Sequence, residues 1–225
     1  ACGATMLLTQ SATVALSTAG CFIVIAGLVV QRRVPVHMRL KVVAIFAGMG
    51  VVAGIGAFFA RHWIADSFGR SPDMSGRSVI WHAAEPLVVE RPIGGWGWFI
   101  GWPTWLDPFA GLVVREDGTS TNQAHNVFVE AALTTGFVGA FLVSAAIIWT
   151  LYRVVKVAVA HIDDNLWDVI PAVLMIAMFI QSFTESRLLF EGNWMLFVII
   201  ATWVKVRGEV PVVWPSAARQ YLEYS

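Results

Sequence analysis

The sequence predicts an all-α integral membrane protein with about five transmembrane helices and one long outer loop carrying short surface helices. Three observations carry this. Of the 225 residues, 57% are apolar and only 13% are charged, where ordinary soluble domains carry roughly 25% charged residues. Long stretches lack charge altogether. The basic residues cluster in short loops between those stretches. Fifteen basic and fifteen acidic residues cancel, so the basic surplus of a nucleic-acid binder is missing. The low charge and high apolar content exclude a disordered chain.

The spans follow from length. Crossing the hydrocarbon core takes about 20 apolar residues. Residues 12–30, 42–60 and 131–152 are uncharged runs. Two further spans are expected at 169–184, with Asp168 at its edge, and at 188–204, interrupted by Glu191. Together they make 1–225 one polytopic membrane domain. The chain starts with alanine and lacks the basic start of a signal peptide, and it is expected to be the C-terminal part of a longer protein. Cys2 and Cys21 fit no zinc or redox spacing and read as small buried hydrophobes.

Orientation comes from the loops. Arg32, Arg33, Arg39, Lys41, Arg153, Lys156, Lys205, Arg207 and Arg219 fall on one side if the five spans alternate. The positive-inside rule puts that side in the cytoplasm. The loop 61–124 and the turn 185–193 are then outside. Asp163 and Asp164 read as a solvated cytoplasmic loop and not as a metal site.

The loop 61–124 is long enough to build a site. Ser75 can cap a short helix over about 76–90, with Val79, Ile80, Ala83 and Leu87 on one face and Pro86 disturbing or restarting it. Trp96, Trp98, Trp102, Trp105, Phe99 and Phe109 suit a membrane interface; sugar stacking or contact with a lipid carrier is the sharper reading. PIGGWG at 92–97 is a turn made by paired glycines. It is not a dinucleotide motif, because no strand precedes it and no long helix follows.

His125 and Asn126 stand where this loop enters the third span. The positive helix end favours the neutral imidazole that a general base requires; the plainer reading is an interfacial helix cap. Arg77, near the start of the short helix, has the donors to grip a phosphate, and Arg91 and Arg187 fall on the same side. Snorkelling to lipid headgroups explains any one of them alone. Glu130, Glu185 and Glu191 are ionisable groups at or near membrane depth, where they are costly and often functional. Glu185 with Arg187 also reads as a local ion pair. No span shows the buried charge pairs or broken helices of a transporter.

His125-Asn126, nine residues, Gly136, two residues and Gly139 together resemble the H-N-x9-G-x-x-G signature of the O-antigen ligase and O-antigen polymerase superfamily. Ser75-Gly76-Arg77 with Trp81 is similar to that family's S-G-R-x-x-x-W segment, and 92–97 to its P-x-x-G-x-G turn. Glu185-Ser186 and Asn193 resemble its weaker polar motif before the last span. The likeness covers about residues 5 to 204. One departure is clear: the family usually places an arginine after a serine at the outer end of the first of these spans, and this chain has Ser11-Ala12.

The resemblance implies a membrane glycosyltransferase of the bacterial inner membrane. It would move a glycan from a polyprenyl-pyrophosphate carrier to an acceptor hydroxyl by inverting attack, with no metal or other cofactor. His125 would act as base and Arg77 as the cation for the leaving pyrophosphate. Arg91, Arg187, Asn126, Trp81 and Glu185 would bind substrate. Gly136 and Gly139 would let a helix or a lipid chain approach closely. Polymerisation of repeat units, or transfer of a glycan onto protein, belongs to the same superfamily. A non-catalytic scaffold or lipid-binding subunit is the alternative from another class, and Ala12 suits it. An enzyme should bring His125 and Arg77 within about 10 Å, the reach of one sugar and its first phosphate, whereas a scaffold has no reason to. The orientation is checked by labelling single cysteines in loop 31–41 with an impermeant reagent on intact cells: the expected result is no reaction.

Overall fold

The structure is a computed structural model. It describes residues 22–23, 26–27, 30–59, 76–99, 101–114, 118–163 and 166–209. The expected span 12–30 lies almost entirely outside the described residues. So do Cys2, Cys21, Ser11-Ala12, Ser75 and Asp164. Five α-helices are described: α1 (Val36–Phe59), α2 (Arg77–Glu90), α3 (Val127–His161), α4 (Ile170–Gln181) and α5 (Glu191–Glu209). Single 3-10 turns, Leu166–Val169 and Arg187–Leu189, lead into α4 and α5. Among the described residues there is no strand, only an isolated antiparallel bridge between Val114 and Ser120.

Helix α3 is the centre. It packs against all four other helices, and a core of Val127, Ile147, Val154, Met175, Phe197 and Ile200 joins it to α4 and α5. Among the described residues it is the helix long and apolar enough to cross a membrane. Its other face leaves Phe137, Phe141, Leu142, Ile148 and Trp149 exposed, and α1 exposes Ile45, Phe46, Met49 and Val52. Contiguous apolar surface of this kind is what hydrocarbon covers at no penalty. Helix α4 is shorter than the expected fourth span. Its 12 residues reach about 18 Å at 1.5 Å per residue, against a core of about 30 Å.

Most of the expected loops 31–41 and 153–165 is helix, in α1 and at the end of α3, and the two segments meet there. Arg39 is buried; it donates to Val34 O and Val159 O and pairs with Asp163 at 2.6 Å. Arg32 donates to Ile162 O. The last carbonyls of a helix lack intrahelical partners and carry negative partial charge, so guanidinium groups are the fitting cap. Asp163 is therefore paired and not merely solvated. Nearby, buried Asp168 pairs with Arg207 at 3.1 Å, with His161 at 3.7 Å.

The segment from α2 to residue 124 forms a second small core on the first turns of α3. It holds Ile80, Ala84, Leu87, Trp102, Phe109 and Leu133. Helix α2 runs straight through Pro86. Its start is capped by Gly76, in the left-handed region at φ 62, with no side-chain cap bond. Its buried stripe is Ile80, Ala84 and Leu87, the i, i+4, i+7 row. Val79, expected on that face, is 57% exposed. The belt of aromatics also divides. Trp102 and Phe109 are buried, Trp96 and Phe99 pack against them, and only Trp98 and Trp105 stand well exposed. An indole at the headgroup level and an indole in a core are chemically the same residue, and here the loop folds its own core.

The most informative local feature is a break in α3. Gly136 takes φ 68 and ψ −177, a region open essentially to glycine alone. The break frees Leu133 O, Thr134 O and the N–H of Phe137. The turn 92–97 takes all three: Trp96 N donates to Leu133 O at 3.0 Å, Gly97 N to Thr134 O at 2.9 Å, and Phe137 N to Pro92 O at 2.7 Å. Backbones this close leave no room for a Cβ. One on Gly95 would fall 2.5 Å from the Thr134 carbonyl, and one on Gly136 would collide with the Ile93 carbonyl. Gly136 therefore receives a turn of the same chain, not a neighbouring helix or a lipid. The expectation of unbroken spans is corrected too, since the freed groups are satisfied from the loop. At Gly139 a Cβ would meet the side chain of Thr135.

Gly136→Ala should lower stability by about 3 kcal/mol, read as a drop in melting temperature in detergent. Gly48→Ala, where a Cβ meets nothing within 4 Å, should be neutral or slightly stabilising.

Candidate functional site

The site is built on the first residues of α3. Asn126 is the N-cap: its Oδ1 accepts from Phe128 N at 2.9 Å and Val129 N at 3.1 Å. Its Nδ2 donates to Phe183 O and its own N–H to Ser186 Oγ. Val127 N donates to Ser182 O. These bonds lace the turn 182–186 to the start of α3, which brings residues some 60 positions apart into one place.

Glu130 lies one turn further in. It is 1% exposed, and a buried carboxylate needs full hydrogen-bonding company. It has three donors. Trp102 Nε1 reaches Oε1 at 2.9 Å; Ala124 N at 2.6 Å and Ser186 Oγ at 3.3 Å reach Oε2. Glu130 is thus a structural clamp on the loop, the His125 approach and the 182–186 turn.

His125 sits between clamped neighbours. Ala124 gives its N–H to Glu130, and its carbonyl accepts from Trp81 Nε1 at 2.9 Å. Asn126 is fixed by its cap. Between them His125 adopts φ 49 and is the sole non-glycine residue with positive φ among the described residues. That conformation persists only where the surroundings over-determine it, and such residues cluster at functional sites. Its Nδ1 lies 3.1 Å from Glu185 Oε2. The other oxygen of Glu185 lies 3.3 Å from Arg77 NH2. One carboxylate therefore stands between His125 and Arg77, and all three side chains are partly open to solvent.

The remaining candidates divide. Trp81 is a support for the Ala124 carbonyl, and Asn126 spends its amide on the cap and on Phe183. Arg91 is stacked 3.9 Å over the Trp96 ring. It is at the far end of α2 from Arg77, about 20 Å along the axis. Glu185 pairs with Arg77 and His125, so the expected Glu185–Arg187 pair is replaced. Arg187 instead lines a polar cleft of about 370 Å³ with Asn122, Gln123, Phe190 and Asn193. The side chain of Glu191 is not described. Among the described residues no group of three metal-ligating side chains occurs. Sequence reasoning named Glu130 only as a costly ionisable group and passed over Ser186 and Trp102 as its partners. Glu185-Ser186 stood out only as part of a polar motif; the pairing of Ser186 with Glu130 is visible only in three dimensions.

Chemically, a carboxylate on Nδ1 holds the tautomer in which Nε2 is free to accept a proton. A guanidinium with five N–H donors, one of them engaged by Glu185, retains donors for an oxyanion.

Glu130→Gln puts an amide N–H against one of three fixed donors. The expected result is a loss of about 1–3 kcal/mol, measured by thermal melting.

Comparison with known proteins adds the following. A model described as O-antigen ligase matches residues 1–144. The exopolysaccharide production protein ExoQ of Rhizobium meliloti (strain 1021) is 25% identical over 227 residues, covering 94% of this chain and 50% of that protein. The chain thus spans about half the length of the curated relative it matches. No solved structure matches.

Proposed function

Because the chain belongs to the O-antigen ligase family, membrane-associated bacterial enzymes of polysaccharide synthesis that act on lipid-linked glycans and an acceptor, we propose that it is a glycosyltransferase drawing on a polyprenyl-pyrophosphate carrier at the outer face of the inner membrane. The supporting observation is the placement of Glu185 between His125 and Arg77. In this reading His125 Nε2 takes the proton of the acceptor hydroxyl as its oxygen attacks the anomeric carbon. The bond to the carrier breaks on the opposite face, so the centre inverts. The pyrophosphate leaves with its new charge on the free N–H groups of Arg77. Glu185 orients the imidazole and stabilises the imidazolium that forms, as the carboxylate of a catalytic triad does. A multi-pass topology with five spans and loop 61–124 outside belongs to the same proposal.

The likeness to an exopolysaccharide production protein over 94% of the chain favours a second reading on the same fold, a polymerase of repeat units. The two differ in the acceptor. A polymerase extends a glycan that is itself carrier-linked, and a ligase uses one that is not; offering both acceptors to the purified protein separates them.

In a transfer assay with carrier-linked glycan, His125→Ala should lower turnover by about 10²–10⁴ and leave carrier binding nearly intact. Full turnover in that variant would remove the base assignment. Arg77→Ala should weaken both carrier use and turnover. Arg77→Lys should restore them only in part, since a point charge does not reproduce the planar fork. For Glu185→Gln the expected fall in turnover is up to about 10⁴-fold, as for a triad carboxylate replaced by its amide, with the KM for the acceptor little changed.

A further inference from the structure

We propose that the polar cleft beside His125 is the acceptor subsite, and that it takes a sugar bearing an anionic substituent. This rests on the glycosyltransferase reading above. The lining comes from two segments: Asn122 and Gln123, just before His125, and Arg187, Phe190 and Asn193, just after Glu185. No lining residue belongs to α2, the helix that carries Arg77. If His125 takes a proton from the acceptor and Arg77 meets the leaving group, the cleft is on the acceptor side of the reacting bond.

Its chemistry selects a carbohydrate. Three planar amides, Asn122, Gln123 and Asn193, each offer a donor and an acceptor, the pairing that neighbouring ring hydroxyls need. Phe190 supplies an apolar face for the C–H side of a pyranose ring. The buried Oε1 of Gln123 has no hydrogen-bond partner among the described residues. A volume of about 370 Å³ suits one or two sugar rings, within the usual range for ligand pockets.

Arg187 adds the charge preference. Among the described residues its guanidinium forms no ion pair, and its neighbour Glu185 is already shared by Arg77 and His125. A neutral sugar offers that cation no counter-charge. A carboxylate on the sugar would receive a bidentate, charge-assisted pair. The same chemistry would accept a phosphate of the carrier, and the experiment separates the two sources.

The test is saturation-transfer NMR on the full protein in nanodiscs, with cellobiose, its uronic-acid counterpart and inorganic pyrophosphate as probes. The expected result is at least tenfold tighter binding of the acidic disaccharide than of cellobiose. Arg187→Gln should collapse that ratio, and Asn193→Ala should weaken both sugars. Equal binding of the two disaccharides to the wild type overturns the anionic preference. Displacement of the acidic disaccharide by pyrophosphate in wild type and not in Arg187→Gln assigns the cleft to a carrier phosphate and overturns the acceptor subsite. Binding of neither sugar, in a protein that transfers glycan from its carrier, overturns the subsite and leaves the enzymatic reading standing. Selective acidic-sugar binding in a protein without transfer activity supports a saccharide site and counts against the enzyme instead.

Discussion

The structure depends on one buried carboxylate. Glu130 cannot be left without partners away from water, because an unsatisfied buried carboxyl group costs several kcal/mol against folding. Its partners come from three separate stretches: Trp102 in the long loop, Ala124 before His125, and Ser186 after Glu185. Satisfying Glu130 therefore assembles the place where His125, Arg77 and Glu185 meet. Trp102 brings the loop's small core, and Ser186 brings the carboxylate that stands between base and cation. The chemistry of the site is carried by residues at its rim, while the residue that organises it is buried beneath.

A second constraint acts through the backbone. The break at Gly136 exposes hydrogen-bonding groups that the 92–97 turn satisfies. The same turn follows the end of α2, so α2 is anchored on α3 at both the core and the break. Arg77, at the other end of α2, has its direction set by that anchoring. Glycines in both the turn and the helix are required by contact, since each sits where the other's carbonyl leaves no space.

Much of this was legible in the sequence. The uncharged run from 131 and the polar His125-Asn126 before it marked the start of α3. The apolar spacing over 79–87 marked α2, although the buried row proved to be Ile80, Ala84 and Leu87. The likeness of motifs pointed to His125 and Arg77. What the sequence left open were pairings between distant positions. Nothing near Glu185 says that its partners are at 77 and 125 rather than two residues away. Composition alone does not separate Trp102, which is in a core, from Trp105, which is 77% exposed. Gly136 looked like a packing glycine because its positive φ is invisible without coordinates.

The break in α3 also bears on how this chain partitions into a bilayer. Residues before it are tied to the loop by hydrogen bonds at Leu133 and Thr134, and Glu130 accepts from Trp102 and Ala124 of that loop, so Glu130 belongs with the loop. The uncharged apolar stretch then begins at Phe137, and the first charged residue after it is Arg153. A span counted from Phe137 carries no term for the acid, which placed at mid-membrane opposes insertion by about 2.5–3.5 kcal/mol. Helical residues from 137 to 161 reach about 37 Å, more than a bilayer core of about 30 Å. Such an excess is accommodated by tilt, and any tilt of this stretch carries α4 and α5 with it, because all three share one core.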